Sequence, residues 1–247
     1  MTGEWFEESF GERYLRLYAH RDQVEAETAI ETLFPGHSLA GRKVLDLACG
    51  AGRYLRVLHE RGADVVGLDL SAVLLAEARR LGIAAPMVRG DMRHLPFRRG
   101  QFDLTVSMFT SFGYFDSFEA HAALAAEIAR VTRAIIVLDL PDRDSLCEGL
   151  VPRSERRLED RTVVERREVL DEPRRVVKTI EISEPGSDQL AERYEERVQL
   201  FSRDEIAALF EPAGFAIVDV MGDYDGSPWE SGRSKRMMVR MQRRRHA

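Results

Sequence analysis

The stretch "KVLDLACGAGRYLRVL", Lys43 to Leu58, constrains this chain more than any other. A short apolar run of strand character leads into Gly50 and Gly52. Apolar residues at helical spacing follow, giving a strand–turn–helix unit. Dinucleotide-binding turns share that layout and follow the pattern G-x-G-x-x-G, in which the third small residue lets the helix pack closely on the strand. Here the third position is Leu55, and an acid, Asp46, stands just ahead of the turn. Leu55 suits close packing poorly, and a carboxylate beside a diphosphate would repel it. A ligand that brings positive charge to the turn reverses the sign of that argument, because Asp46 can then accept from it while the glycines let the backbone approach.

Further along, strand-like and helical stretches alternate. "KVLDLA" is followed by a helix over 53–61, "ADVVGLDL" by one over 72–80, and "MVRGDM" by a short loop. "FDLTVSMF" is followed by a helix over 118–130, and "AIIVLDL" comes next. This alternation predicts an α/β fold, a Rossmann-like parallel sheet with helices on both faces. Ser71 is the expected N-cap of the second helix and Gly82 its stop. Ahead of the sheet, residues 4–34 read as helical, with Phe6, Phe10, Tyr14, Leu17 and Tyr18 at helical spacing.

After Pro141 the character changes. Residues 153–200 are crowded with Arg and Glu, and "DEP" and "EPGSD" separate "RTVVERREVL", "RRVVKTIEI" and "ERYEERVQLF". Such runs predict a small antiparallel meander of three strands with one wet face; their Val and Ile content disfavours a disordered linker. "FSRDEIAALFEPAGF" then announces a helix, with a Ser202–Glu205 capping box at its start and Pro212 and Gly214 at its end. "AIVDVMGDY" and "RMMVRMQR" read as two closing strands. The expected organisation is therefore an N-terminal helical cap (1–40), an α/β domain (41–152 and 201–247) and an antiparallel β insertion (153–200).

Composition removes several function classes. The 247 residues, 44% hydrophobic and 32% charged, suit a soluble globular protein. No apolar run reaches the roughly 18 residues of a membrane span, and "MTGEWFEESFGERY" lacks the layout of a signal peptide. The two cysteines, Cys49 and Cys147, cannot make a disulfide framework, which points to a cytoplasmic setting. Neither they nor the six scattered histidines show zinc-ligand spacing, so no metal is expected. A net charge of −6 argues against wrapping a nucleic-acid backbone, and the basic tail "MQRRRHA" reads as a solvated end.

Two more acids sit at strand ends. Asp69, in "GLDLS", stands where a carboxylate can take hydrogen bonds from ribose hydroxyls, a feature shared with dinucleotide enzymes. Asp91, in "RGDMRHLPF", can accept from an adenine amino group, with Met92 as a soft contact to the ring. Finally "VSMFTSFGYF", Val106 to Phe115, runs from a strand end into an aromatic loop able to line an acceptor pocket. A nucleoside carrying an ammonium group and a sulfonium, and no phosphate, meets all of these conditions. S-adenosylmethionine is such a molecule.

Together Asp46, Gly50, Gly52, Asp69, Asp91 and "SMFTSFGYF" resemble the class I S-adenosylmethionine-dependent methyltransferases, strongly over residues 40–140. The "FTSFGYF" wording, the tyrosine-bearing N-terminal helix and the late insertion are similar to a bacterial and archaeal small-molecule branch, that of the glycine/sarcosine and amino-sugar N-methyltransferases. The resemblance implies a seven-stranded, mostly parallel sheet with its last strand antiparallel. It also implies that Asp46, Ala48, Gly50 and Gly52 hold the methionine end of the cofactor, Asp69 and Leu70 flank the ribose, and Asp91 and Met92 the adenine. Met108 would lie near the ring and the methionyl portion, Tyr14 would close over the cofactor, and Arg53 would reach its carboxylate or remain a surface residue. S-adenosylhomocysteine would be the product. One departure is plain: many relatives carry a Pro-Gly-Gly turn before strand five, where "RVTRAIIVLDL" runs straight in.

The implied activity is methyl transfer to an N or O atom of a small-molecule acceptor. Placement supplies much of such a rate, and a base is needed for a hydroxyl acceptor but not for a neutral amine. Tyr18, His20, Tyr114 and Tyr224 are the candidate catalytic residues, although Tyr114 suits core packing equally and His20 suits a helix surface or cap. Asp139 and Asp142 either face the acceptor or start a loop. The 153–200 meander would be a substrate lid, with an edge extension or a dimer contact in a homo-oligomer as the alternative. An RNA or protein methyltransferase and a non-catalytic S-adenosylmethionine-binding protein are the other functions considered. Against an RNA target, "SMFTSF" stands where an N-P-P-Y-type loop would.

Overall fold

The structure is a computed structural model that describes residues 5–18, 23–36, 38–187 and 189–244. At its centre lies β1 (Lys43–Leu47), buried from Val44 onward. It pairs in parallel with β2 (Asp64–Asp69) on one side and β4 (Phe102–Ser107) on the other. Beyond β2 lies β3 (Met87–Arg89), and beyond β4 lies β5 (Thr132–Pro141), both parallel. The last strand, β11 (Arg236–Arg243), pairs antiparallel with β5 and with β10 (Phe215–Met221), which forms the edge. The sheet thus has seven strands in the order β10-β11-β5-β4-β1-β2-β3, and β11 alone runs against the rest.

Period-2 alternation along β1 divides the core. Val44 faces a cluster that holds Ile30 and Leu33 of α3 (Gln23–Leu33), Leu55 and Leu58 of α4 (Arg53–Glu60), and Leu75 of α5 (Ala72–Arg80). Leu45 and Leu47 face Leu124 and Ile128 of α6 (Phe118–Val131), with Ile206 and Phe210 of α8 (Arg203–Phe210). Three layers result, with helices on both faces of the sheet. The expected caps form: the Ser71 hydroxyl accepts from the Leu74 N–H, and Ser202 and Glu205 close a reciprocal capping box. No turn separates α6 from β5. Instead the Thr132 hydroxyl donates to the Ile128 carbonyl (2.7 Å) and lies 2.6 Å from the Thr105 hydroxyl, anchoring the junction.

A second sheet, β6 (Arg153–Leu158), β7 (Arg161–Asp171), β8 (Arg174–Ser183) and β9 (Leu190–Gln199), is antiparallel throughout. It has four strands where the sequence predicts three. The extra one, β6, is "RSERRL", whose single apolar residue offers no alternation; pairing with Arg161–Arg166 makes it a strand. One face of this sheet packs Val163, Ile180 and Ile182 around Leu17 of α2 (Glu12–Leu17). The Arg156 guanidinium donates to the Leu17 carbonyl (3.0 Å), and Ser9 of α1 (Trp5–Ser9) donates to the Glu195 carbonyl (3.2 Å). The small sheet and the two N-terminal helices therefore form one packed unit. Among the described residues no helix is long and apolar enough to cross a membrane, and no three His, Cys, Asp or Glu gather as metal ligands.

Candidate functional site

At the carboxyl ends of β1 to β4 lies a cavity of about 930 Å³, roofed by α1 and α2. Crevices at this end of a parallel sheet are where such folds bind ligands. Tyr14, Asp46, Ala48, Gly50, Gly52, Arg53, Asp69, Leu70, Asp91, Met92 and Met108 all line it, drawn from five separate stretches of sequence.

The turn after β1 is built tightly. Ala48, Gly50 and Gly52 adopt left-handed backbone (φ +59°, +55° and +81°). A Cβ on Gly52 would stand 2.4 Å from Ile83 Cδ1, so the second glycine is required by space as well as by φ. The missing third glycine has a counterpart on the neighbouring strand. A Cβ on Gly67 of β2 would lie 2.8 Å from both Leu55 Cδ2 and Cys49 Sγ. Gly67 thus makes the room that Leu55 takes up, and α4 still packs closely on the sheet.

Asp46 lies on the same face of β1 as Val44, buried under the first turn of α4. Burial, and then the nearby charge of Asp69, push its carboxyl up to about 7, against the pull of a hydrogen bond from the Leu55 N–H. Its Oδ2 has no protein partner although it is buried. An unsatisfied buried carboxylate oxygen is costly unless a donor arrives, and an ammonium group is the strongest such donor. Asp69 holds the turn from the adjacent strand: Oδ2 accepts the Gly50 N–H and Oδ1 the Ser71 N–H, both at 2.8 Å. Burial raises its pKa, and those hydrogen bonds oppose the rise.

Other positions differ from their simplest expectation. The Asp91 carboxylate is gripped by the Arg93 guanidinium in a fork (Nη2 to Oδ2 2.6 Å, Nε to Oδ2 2.9 Å), so any incoming amino group shares it with a cation. Arg53 is paired with Glu25 (2.8 Å), and its guanidinium lies over the rings of Tyr54 and Phe109. It is thereby fixed in the cavity wall.

Of the catalytic candidates, Tyr18 and Tyr114 line the cavity, Tyr224 does not, and His20 lies outside the described residues. The Tyr18 hydroxyl donates to Glu196 (3.0 Å) and accepts from the Lys178 ammonium (2.6 Å). Tyr114 stacks on Phe10 (ring centroids 5.2 Å apart) with Trp5 edge-on at 5.3 Å. Tyr224 sits behind the wall; its hydroxyl donates to Asp139 (2.7 Å) and receives that of Tyr54 (3.3 Å). Burial, and then the Asp139 charge, push the Tyr54 phenol up to about 12 and the Tyr224 phenol beyond it, so neither is disposed to ionise. Asp142 caps α7 (Arg143–Glu148) by accepting the Ser145 N–H (2.8 Å), which is the loop-starting role. Lys178 and Glu196 had no signal, since one Lys and one Glu in Arg/Glu-rich strands look like solvated charge. Phe109 was visible only as one aromatic of the loop.

Residues 44–134 match the family model for a methyltransferase domain. The chain carries a methyltransferase domain. This methyltransferase is 29% identical over 212 residues to the dTDP-3-amino-3,6-dideoxy-alpha-D-glucopyranose N,N-dimethyltransferase of Streptomyces fradiae, covering 84% of this chain and 81% of that one. It is 27% identical to the corresponding 3,4,6-trideoxy-sugar enzyme of Streptomyces venezuelae, over 83% and 89% of the two chains. A solved S-adenosylmethionine-dependent methyltransferase of Clostridium acetobutylicum superposes with a TM-score of 0.77, covering 93% and 97% of the chains at 17% identity, and so shares the fold. That solved enzyme depends on S-adenosylmethionine. The cavity suits that molecule on structural grounds: an orphaned, buried carboxylate oxygen stands at Asp46, beside the glycine turn.

Proposed function

We propose that this methyltransferase acts on the amino nitrogen of a small molecule, with a nucleotide-linked amino sugar as the acceptor class. The carrying observation is the cavity itself. At about 930 Å³ it is near the upper end of small-molecule sites, large enough for a donor and a second small molecule together. The two sugar N,N-dimethyltransferases aligned over most of the chain supply the acceptor class.

In this reading Asp46 and the Ala48–Gly52 turn receive the amino-acid end of the donor, Asp69 and Leu70 its ribose, and Asp91 and Met92 its adenine. Met108 packs beside it, Arg53 stands at the carboxylate end, and Tyr14 covers it. The bound donor supplies a methyl group on a sulfonium, already activated for displacement by a nucleophile. The chain's own work is then to place the acceptor and exclude water, which α1 and α2 do as a roof. A neutral amine needs no base before attack. The proton it sheds afterwards can pass to the Tyr18 oxygen as the Tyr18 proton passes to Glu196, so Tyr18 is the favoured polar contact for the acceptor. The small sheet, which holds Glu196 and Lys178 against Tyr18, acts as a lid over the acceptor. The setting proposed is the cytoplasm.

Mass spectrometry after incubation with S-adenosylmethionine and a dTDP-3-amino-3,6-dideoxyhexose tests this. Products heavier by one and then two methyl groups are expected. Label transferred only to RNA or protein, with the sugar unchanged, would overturn the acceptor class.

A further inference from the structure

Two consecutive non-glycine residues just after β4, Phe109 and Thr110, adopt left-handed backbone (φ +57° and +73°). L-residues avoid this region, so the surroundings must impose it. Both of their N–H groups are taken by one residue. The Phe109 N–H donates to Asp139 Oδ2 (2.9 Å), and the Thr110 N–H donates to the Asp139 main-chain carbonyl (2.8 Å). Asp139 is fully buried near the end of β5, and its carboxylate is itself fixed on both oxygens: Oδ2 accepts the Tyr224 hydroxyl, and Oδ1 accepts Nε of Arg236 from β11. The Arg236 guanidinium lies over the rings of Tyr224 (5.0 Å to the centroid) and Phe109 (5.6 Å), and Arg53 stands over Phe109 as well (5.3 Å).

Phe109 lines the cavity; Asp139, Tyr224 and Arg236 do not. Whatever these three do for the reaction, they do through the loop and the ring they hold. The strand order says which half of the cavity that is. The acids assigned to the donor end β1, β2 and β3, whereas Phe109 follows β4 and is tied to β5 and β11 on the opposite side.

We propose that Asp139, Tyr224 and Arg236 are a buried positioning unit that locks the strained Phe109–Thr110 turn, so that the Phe109 ring forms the acceptor-side wall of the cavity and aligns the acceptor with the methyl donor. The unit acts on turnover and acceptor placement, while the acids that hold the donor stay in place at the ends of β1, β2 and β3. The assignment of the acceptor side rests on the methyltransferase reading of the cavity.

The test places 4-fluorophenylalanine at position 109 and follows it by 19F NMR in wild type, Tyr224→Phe and Asp139→Asn, with S-adenosylhomocysteine as the titrated probe. Wild type is expected to give one sharp resonance. Tyr224→Phe, which removes only a hydroxyl and keeps the fold should Asp139→Asn lose it, is expected to broaden or split that resonance. S-adenosylhomocysteine affinity should stay within threefold, while methyl transfer to the amino-sugar acceptor falls at least tenfold in kcat with a smaller change in donor KM. A folded Tyr224→Phe protein that keeps a single sharp resonance overturns the proposal, and so does a tenfold loss of S-adenosylhomocysteine affinity with unchanged turnover. Because the resonance is read without an acceptor, failure of wild type to methylate the sugar would count against the acceptor class and not against this unit.

Discussion

Asp46 combines two properties that oppose each other in the cofactor-free chain. Its carboxyl is buried and titrates at about 7, against 3.8 for an ordinary aspartate. The folded chain therefore holds this proton more tightly than the unfolded chain, and the stability gained from it is lost as pH rises from about 4 to about 7. The whole difference is on the order of 4 kcal/mol, and Asp46→Asn should flatten that slope in denaturant titrations between pH 4 and 8. Donor binding carries the opposite demand, because an ammonium group needs the ionised carboxylate. Below pH 7 the proton must leave first, so the apparent Kd for S-adenosylmethionine should rise up to about tenfold per pH unit. Calorimetry from pH 6 to 8 measures this; an affinity flat across pH 7 would mean that Asp46 does not meet the ammonium. A residue that destabilises the empty site in this way is common where ligands bind.

The glycine turn shows how a motif can be legible at one position and hidden at its complement. Gly50 and Gly52 mark a tight turn in the sequence, and both adopt the left-handed backbone that favours glycine. Leu55 looked like a defect because the space it fills belongs to Gly67, twelve residues on and in another element. Gly67→Ala should cost roughly 1–3 kcal/mol by overpacking against Leu55 and Cys49. In a Leu55→Ala background the same change should cost markedly less, a coupling that a double-mutant cycle in urea would measure. The β6 strand was hidden for a different reason: it is defined by its hydrogen bonds to β7 and carries no pattern of its own. By contrast α8 was readable from its ends alone. Ser202→Ala, which removes the acceptor for the Glu205 N–H, should cost about 1 kcal/mol without changing donor affinity.

Across the whole molecule, strand–helix alternation predicts the parallel sheet that forms, and the three strand-end acids Asp46, Asp69 and Asp91 all fall in the cavity wall. The rest of the cavity joins parts far apart in sequence that the fold brings together: the roof of α1 and α2 and the Phe109 turn, with the small sheet backing Tyr18. Pairings such as Tyr18 with Lys178 and Glu196 span more than 150 positions and follow no local spacing. Tyr18→Phe should therefore raise the acceptor KM about threefold to tenfold, the worth of one hydrogen bond, and leave donor affinity unchanged in paired kinetic and binding assays. The central claim is that the ends of β1, β2 and β3 seat the methyl donor. Calorimetric titration of S-adenosylhomocysteine into wild type and Asp69→Ala tests it most directly. Saturable binding by wild type, weakened about 100-fold in the variant by loss of the ribose acceptor and of the Gly50 and Ser71 tethers, is the predicted result. Equal affinity in the two proteins would contradict it.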